Sequence, residues 1–327
     1  MKKPGLPAEL VRWRVAGGRL HAQREPAEPP GAGEVVLAVE GCSLGAAEVH
    51  ALARPGVCPG NAAVGVVVAA ADGLSDLLGR RLLMPEVLPC GQCALCQRGR
   101  GPACTFATRP GMTVPGALAS HVRVPARYLT PADRELAPPA SLEPWRLAAL
   151  AGPAARVYHA LVRAGLGPGE LALFVGDTAE ARLGAQIAAQ KGAQALVVSP
   201  TEATADAVRA RLGEGPPRVW RVLDMTGRAA VARAAVALLP ELKTGSLSLV
   251  GSAAPELLLD PAALSEVPLL TTEGPHPDLL PELLALCVRG DLDLRPLTAR
   301  IDPAGLPAAL AALLAGQGPP CPIFCPA

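Results

Sequence analysis

Four cysteines stand close together in the first third of the chain, at a spacing suited to holding a metal ion. They are Cys90, Cys93, Cys96 and Cys104, which form the pattern C-x2-C-x2-C-x7-C. Four thiolates can close a tetrahedral zinc site that leaves no position open for a substrate. Glycines such as Gly91 allow the tight turns that these short spacings require. The pattern therefore predicts a structural zinc site.

Two other interpretations of this cluster stay open. An iron–sulfur cluster also uses four cysteine thiolates, and free thiols or a redox-active C-x2-C pair need no metal at all. The remaining cysteines are scattered, and we expect most of them to be buried as small apolar residues. They are Cys42, Cys58, Cys287, Cys321 and Cys325. The sequence leaves open whether Cys321 and Cys325 are exposed to oxidation.

The cysteine cluster lies in a part of the chain that is predicted to be rich in β-structure. Short apolar strands separated by Gly and Pro are expected there over 34–39, 62–70, 81–84 and 121–124. From Leu142 to Ala164 the apolar spacing is helical. Apolar strands then alternate with helices, which indicates a parallel sheet covered on both faces. A strand over Leu292–Leu297 is expected to return to the first part of the chain.

Two further segments, together with the cysteine spacing, carry a resemblance to a known family. Gly116–Val122 is similar to the family's G-x-[AF]-A-E-Y-V segment, and Gly290–Leu297 is similar to its G-K-I-D-L-x-P-L strand. The chain thus resembles the zinc-containing medium-chain dehydrogenases related to alcohol dehydrogenase, over nearly its whole length.

The resemblance implies an α/β fold that combines a GroES-like β-rich domain with a doubly wound Rossmann sheet. The implied boundaries are 1–145 for the GroES-like domain, with its zinc lobe at about 88–106, then 146–285 for the Rossmann domain and 286–327 for a return to the GroES-like domain. Members of this family commonly form dimers or tetramers, so the resemblance also implies a homo-oligomer.

The residues that hold a catalytic zinc in this family are replaced here. The family takes its ligands from the motifs C-G-x-C-x-T-D-x-H and P-G-H-E-x-x-G and from a later cysteine. The resemblance places Gly45 and Asn61 at the first two positions and the third near Pro153, and none of these residues can hold zinc against water. Glu48 and His50 survive nearby, and a Glu48/His50 acid–base pair is the predicted proton donor. The alternative is that both are remnants bonded to backbone or water.

A loop that resembles a dinucleotide-binding fingerprint follows the apolar strand at 171–175. The fingerprint is G-x-G-x-x-G/A, and Gly176 and Ala181 fill its first and third positions. Thr178 stands at the second position, where glycine normally lets the backbone approach the pyrophosphate. Asp177 and Glu180 add negative charge at the helix N-terminus, where they compete with phosphate.

The next strand ends in Ser199, where an acid would normally hold the ribose hydroxyls. Loss of that acid favours NADP if an arginine lies nearby, and the first candidates are Arg209 and Arg211. The cofactor-binding residues predicted from these patterns are Gly176, Thr178, Ala181 and Ser199. The cofactor is expected to be NADP or NAD.

Two functions are compatible with these features. One is an NAD(P)H-linked oxidoreductase without catalytic zinc, since zinc-independent members of the family reduce activated double bonds or carbonyls. The alternative is a non-catalytic descendant that serves as a structural or protein-interaction subunit. It would use the zinc lobe and the sheet edge near Val267–Leu270 for protein contacts.

Composition and charge exclude several other classes. Half of the 327 residues are apolar and the net charge is +1, so neither disorder nor a nucleic-acid partner is indicated. No apolar stretch reaches the roughly 18 residues that span a bilayer, and the start of the chain does not resemble a signal peptide. We expect a cytoplasmic protein with a small-molecule substrate and no membrane partner.

Overall fold

The computed structural model describes residues 5–133, 137–212, 221–242, 245–251, 267–272, 274–317 and 320–326. The chain divides into two compact units, Met1–Ala155 with Gly274–Ala327 and Arg156–Glu273. No helix in these described ranges has the length and apolar character needed to cross a bilayer. The first unit contains the cysteine cluster, and the second contains the loop after residue 175.

The first unit is built mainly from antiparallel strands. Its strands before residue 155 are β1 (Glu9–Ala16), β2 (Arg19–Pro26), β3 (Glu34–Ser43), β4 (Ala63–Ala70), β5 (Arg81–Met84), β6 (His121–Pro125) and β7 (Thr130–Pro131). Two short helices are α1 (Ala46–Ala51) and α2 (Ala94–Gln97). β1 and β2 form a separate hairpin sheet. Buried valines and leucines of β3 and β4 supply much of the core, because β-branched and apolar side chains pack well on a pleated surface.

The second unit is a parallel sheet with helices between its strands. Its helices are α3 (Ala155–Ala164), α4 (Ala179–Gln190), α5 (Ala205–Leu212) and α6 (Ala229–Leu242). Its strands are β8 (Leu171–Val175), β9 (Gln194–Val198), β10 (Arg221–Asp224), β11 (Ser246–Leu249) and β12 (Leu269–Thr271). The described strands lie in the order β12-β11-β10-β8-β9, all parallel. β8 therefore lies at the point where the strand order reverses, and ligands bind at that point in such sheets.

The chain then returns to the first unit. This part contains α7 (Leu280–Arg289), β13 (Ala299–Ile301), α8 (Leu306–Leu314) and β14 (Pro322–Phe324). The described strands of the main sheet run β13-β14-β3-β4-β5-β7, with β6 paired to β3. The rings of Phe324 and Trp13 meet edge to face at a centroid distance of 4.8 Å. The predicted combination of a GroES-like domain and a Rossmann sheet is confirmed.

Two predicted elements are corrected by the structure, and proline is the reason in both cases. The strand expected over Leu292–Leu297 is wrong: Arg295–Leu297 is a 3₁₀ turn, and the strand begins only at Ala299. Pro296 lacks the N–H that a strand would donate. The helical segment expected over Leu142–Ala164 is interrupted by a π turn at Leu150–Ala154, which contains Pro153.

Candidate functional sites

The four predicted metal-binding cysteines come together in the first unit. Their sulfur atoms all lie within 4.8 Å of one another. The Sγ–Sγ distances are 3.5 Å for Cys93–Cys96, 3.7 Å for Cys93–Cys104 and 3.9 Å for Cys90–Cys96. A tetrahedral zinc ion with bonds of about 2.3 Å separates its sulfur ligands by about 3.8 Å. The donor set and its spacing therefore fit a zinc ion.

Backbone amides around the cluster help to hold negative charge on sulfur. The N–H groups of Gln92 and Cys93 lower the pKa of Cys90 to about 6. The Gly91 N–H donates to Cys96 Sγ at 3.3 Å. Desolvation acts in the opposite direction and raises the pKa of Cys96 to about 12. Negative charge on all four sulfurs at once therefore requires a bound cation.

The positions that the resemblance assigns to a catalytic zinc carry no suitable donor among the described residues. Gly45 is the N-cap of α1, Asn61 lies just before β4, and Pro153 lies in the π turn. The π turn packs tightly on the end of β3, because a Cβ added to Gly152 would lie 2.6 Å from Ser43 Oγ. Among the described residues, the cysteine cluster is the one group of His, Cys, Asp or Glu arranged to hold a metal. These residues do not fit a catalytic zinc.

Glu48 and His50 are not brought together as an acid–base pair. Glu48 is 2% exposed, and its carboxylate accepts the N–H of Gly45 at 2.8 Å and that of Asn61 at 3.3 Å. His50 is exposed on the other side of α1, since residues two apart on a helix face different directions. Glu48 therefore ties the start of α1 to the segment before β4, while His50 faces solvent.

The five cysteines outside the cluster are all buried. Burial raises the pKa of Cys42 well above its usual value, and the nearby Glu48 carboxylate raises it further. Burial also raises the pKa values of Cys58, Cys287 and Cys325 to about 11. These four groups are protonated thiols at neutral pH, and thiols are poor nucleophiles and poor metal ligands.

The loop after β8 keeps part of a dinucleotide fingerprint. Gly176 has a φ of 113° and lies so close to Thr226 that a Cβ there would be 2.5 Å from its methyl carbon. Ala181 is fully buried, as close packing of helix and strand requires. Thr178 departs from the pattern, because it caps α4 and its hydroxyl accepts the Ala181 N–H at 3.1 Å. The loop fits a dinucleotide at its first and third positions and deviates at the second.

The two carboxylates in this loop are neutralised by arginines. Asp177 accepts two hydrogen bonds from Arg182, at 2.7 and 2.8 Å, and these lower the pKa of the Asp177 carboxyl. Glu180 pairs with Arg156 at 2.6 Å. The local charge at the N-terminus of α4 is therefore balanced, which removes much of the repulsion that the sequence suggested for a phosphate.

Ser199 lies at the carboxyl end of β9 and is held by an acid three residues later. Its N–H and its hydroxyl both donate to Glu202, at 3.1 and 2.9 Å. Arg211 reaches the same end of the strand, where it donates to the Val197 carbonyl at 3.0 Å and lies 3.9 Å from Glu202. One charge of each sign stands there, so net charge favours neither NAD nor NADP.

A buried acid that the sequence analysis did not single out stands at the end of β10. Asp224 is 1% exposed, and its Oδ1 accepts the N–H and the hydroxyl of Thr226 at 2.9 and 2.8 Å. Its Oδ2 has no hydrogen-bond partner among the described residues, and burial raises the pKa of this carboxyl. The signal in the sequence was an acid at the end of a short apolar strand, with Thr226-Gly227 two residues later. Thr226 packs on Gly176, so Asp224 supports the loop after β8.

Comparison with known proteins agrees with this architecture. Residues 31–134 match the family described as the alcohol dehydrogenase GroES-like domain. L-galactonate-5-dehydrogenase from Escherichia coli K12 is 29% identical over 214 residues, which cover 63% of this chain and 57% of that protein. The chain spans about half the length of the curated relatives it matches.

Solved structures share the fold over almost the whole chain. Acetophenone reductase from Geotrichum candidum, in complex with NAD, has a TM-score of 0.82 at 20% identity and covers 98% of each chain. A zinc-binding dehydrogenase from Sinorhizobium meliloti 1021, bound to NADP, has a TM-score of 0.78 at 20% identity, covering 98% of this chain and 100% of that one. Residues 31–134 therefore match the GroES-like domain of alcohol dehydrogenases, and the chain as a whole shares the fold of these dehydrogenase and reductase structures.

Proposed function

We propose that this protein is an NAD(P)H-linked oxidoreductase that acts on a small molecule without a catalytic zinc. The observation that carries the proposal is the side-chain replacement in the first unit. The resemblance puts Gly45 and Asn61 at two of the three ligand positions and the third near Pro153, and these residues lie at the N-cap of α1, before β4 and in the π turn. A carbonyl or activated double bond is the substrate class that suits such a site, because hydride transfer to it requires a proton donor and positioning.

The proposal includes one structural zinc held by Cys90, Cys93, Cys96 and Cys104. The support is their mutual spacing, which matches a tetrahedral ion. A cytoplasmic location is part of the same proposal, because a reducing compartment keeps such thiols available to metal. Metal analysis of the purified protein should return about one zinc per chain. Iron with visible colour, or a second equivalent of zinc, would contradict it.

In this proposal His50 is the candidate proton donor and Glu48 is a positioning residue. His50 is exposed and its imidazole can donate a proton, whereas both oxygens of Glu48 accept backbone N–H groups. The bound dinucleotide would supply the hydride. Gly176, Thr178 and Ala181 would lie along its phosphates, and Ser199 would lie near its ribose.

The deciding experiment is a titration of the purified protein with NADPH and with NADH, followed by thermal shift. A ligand that binds only the folded state raises the melting temperature by mass action. We expect a saturable shift with at least one of the two, and consumption of that dinucleotide with a panel of aldehydes, ketones and activated double bonds. No shift with either at millimolar concentration would remove the oxidoreductase proposal and favour the non-catalytic alternative.

We further propose that the protein forms a homo-oligomer, a dimer or a tetramer. The support is β12, which is an edge strand among the described strands and leaves the Leu269 side chain 38% exposed. Unpaired sheet edges are templates for pairing with a second chain. Sizing chromatography that returns a monomer would contradict this part of the proposal and leave the rest intact.

A further inference from the structure

One arginine, Arg127, connects a turn of the main sheet to the cysteine cluster. Arg127 follows β6 and donates from Nη1 to the carbonyl oxygen of Cys90 at 2.7 Å. Its guanidinium carbon lies 4.9 Å from the centroid of the Tyr128 ring. The planar group is therefore held between an aromatic face and the backbone of the first cysteine.

The turn that carries Arg127 is itself anchored to the sheet. The Ala126 N–H donates to the Gly33 carbonyl at 2.9 Å, and the Leu129 N–H donates to the Ala126 carbonyl at 3.2 Å. Tyr128 has a φ of 70°, which is uncommon for a residue with a side chain and fixes the direction of the turn. The position of Arg127 thus depends on the sheet rather than on the cysteine loops.

The peptide group between Cys90 and Gly91 makes hydrogen bonds in two directions, to Arg127 and to a metal-binding sulfur. The Cys90 carbonyl accepts from Arg127, and the N–H of that peptide, which belongs to Gly91, donates to Cys96 Sγ at 3.3 Å. A donor on the carbonyl polarises the peptide and strengthens the bond that its N–H makes. The guanidinium lies directly over Gly91, because a Cβ added there would collide with Arg127.

Charge favours the same arrangement. No Asp or Glu occurs between residues 87 and 132, so the lobe around the cysteines is basic in sequence. A zinc ion bound by four thiolates carries net negative charge, which a nearby guanidinium offsets. Groups that orient metal ligands from outside typically change metal affinity by about 10- to 100-fold when they are removed.

From these contacts we infer that Arg127 is a positioning residue for the structural zinc, holding the Cys90–Gly91 peptide in the orientation that the site requires. The inference rests on the zinc site proposed above, but it does not depend on catalysis. The inference predicts that Arg127, which is anchored to the main sheet, slows the loss of zinc. It does so through its hydrogen bond to the Cys90 carbonyl rather than through a bond to a sulfur.

The test measures zinc release from the purified full-length protein into a colorimetric chelator. Arg127→Ala should release zinc about tenfold faster than the unmodified protein, near the lower end of the range because Arg127 is exposed. Two matched variants remove the same charge elsewhere. Arg123→Ala removes a side chain that pairs with Glu28 and Glu34, and Arg100→Ala removes an exposed arginine within the lobe. Both should release zinc at the unmodified rate.

The possible outcomes separate the two proposals. If the unmodified protein holds no zinc, the zinc site itself is overturned. If it holds zinc and Arg127→Ala behaves like Arg100→Ala, the positioning role is overturned. Arg127→Lys keeps the charge but lacks the planar guanidinium, so we expect an intermediate rate, and it provides the measurement if the alanine variant does not fold. Cobalt substitution gives a second readout, because the thiolate-to-cobalt absorption should change in Arg127→Ala and not in Arg123→Ala.

Discussion

The hydroxyl oxygen of Thr178 accepts the backbone N–H of Ala181 at 3.1 Å, so the first turn of α4 is capped from within its own loop. A dinucleotide phosphate would use the same amide. Thr178→Gly should therefore strengthen binding of the reduced dinucleotide about tenfold, as expected for one regained hydrogen bond to a charged group. Isothermal titration with NADPH and NADH measures it.

A matched control for Thr178→Gly exists on the next helix of the same unit. Thr204 precedes α5, and its hydroxyl accepts the Ala207 N–H at 3.3 Å. Replacing an N-cap threonine by glycine costs only a few tenths of a kcal/mol, so both variants should remain folded. Tighter binding in Thr204→Gly, or weaker binding in Thr178→Gly, would contradict the assignment of the Ala181 amide to phosphate.

Loss of one cysteine from the cluster should remove the zinc and lower the stability of the first unit. Cys93→Ser replaces a thiolate that lies 3.5 Å from Cys96 Sγ and 3.7 Å from Cys104 Sγ. We expect most of the zinc to be lost and the melting temperature to fall, because binding of a structural metal contributes to folding. Cys287→Ala removes a buried thiol of α7 and should keep its zinc. Equal zinc content in the two variants would contradict the site.

Glu48 and His50 should respond differently to mutation. Glu48→Ala leaves the Gly45 and Asn61 N–H groups without their acceptor, at a cost of about 2 kcal/mol in the free energy of unfolding. Glu48→Gln should cost less, since an amide oxygen still accepts. His50→Gln should leave stability unchanged and slow substrate reduction. Urea unfolding and steady-state rates measure the two effects, and a stable, inactive Glu48→Ala variant would reverse the assigned roles.

Asp224 should make stability depend on pH in a direction opposite to that of most acids. Burial raises the pKa of its carboxyl, so its contribution to stability is fully present below the unfolded-state pKa and is lost as pH rises through the folded-state pKa. Asp224→Asn removes this titration. We expect the variant to be more stable by about 1 kcal/mol at neutral pH, with the difference shrinking in acid.

Urea unfolding from acid to neutral pH measures the Asp224 effect. Asp206→Asn is the matched control, because the Asp206 side chain is 98% exposed and its replacement should change the free energy of unfolding little. A constant difference between Asp224→Asn and the unmodified protein across this pH range would mean that the Asp224 carboxyl is not the titrating group.

The alternation of strands and helices in the second unit was predictable because short apolar runs such as Leu171–Val175 are typical of buried parallel strands. The hairpin of β1 and β2 was not predicted, because β2 is largely polar and exposed and neither strand is a continuous apolar run. Arg12 and Arg14 of β1 both pair with Glu25 of β2, a contact that only the register reveals. The strand expected over 292–297 was wrong because Pro296 interrupts the alternation of apolar and charged residues that indicated a strand.

The candidate sites divide in the same way. Short spacing in sequence made the cysteine cluster visible, since its members must lie close together in any compact fold. The resemblance also predicted the replacement of zinc ligands at Gly45 and Asn61, because residue types alone show that neither side chain can bind zinc. Two hydrogen bonds join segments that are distant in sequence. The Asn61 N–H donates to Glu48, and Arg127 donates to the Cys90 carbonyl. Neither has a local pattern, so only the three-dimensional arrangement shows them.

The position of β14 bears on how a nascent chain reaches its native state. β14 lies inside the main sheet, between β13 and β3, and Phe324 pairs with Cys42 although nearly the whole described chain separates them. Domains generally fold as units during synthesis. The parallel sheet of the second unit can form as soon as its own residues leave the ribosome. The sheet around β3 can pair β3 with β4 and β6 early, but the Cys42–Ser43 end of β3 lacks its partner strand until β14 has been synthesised.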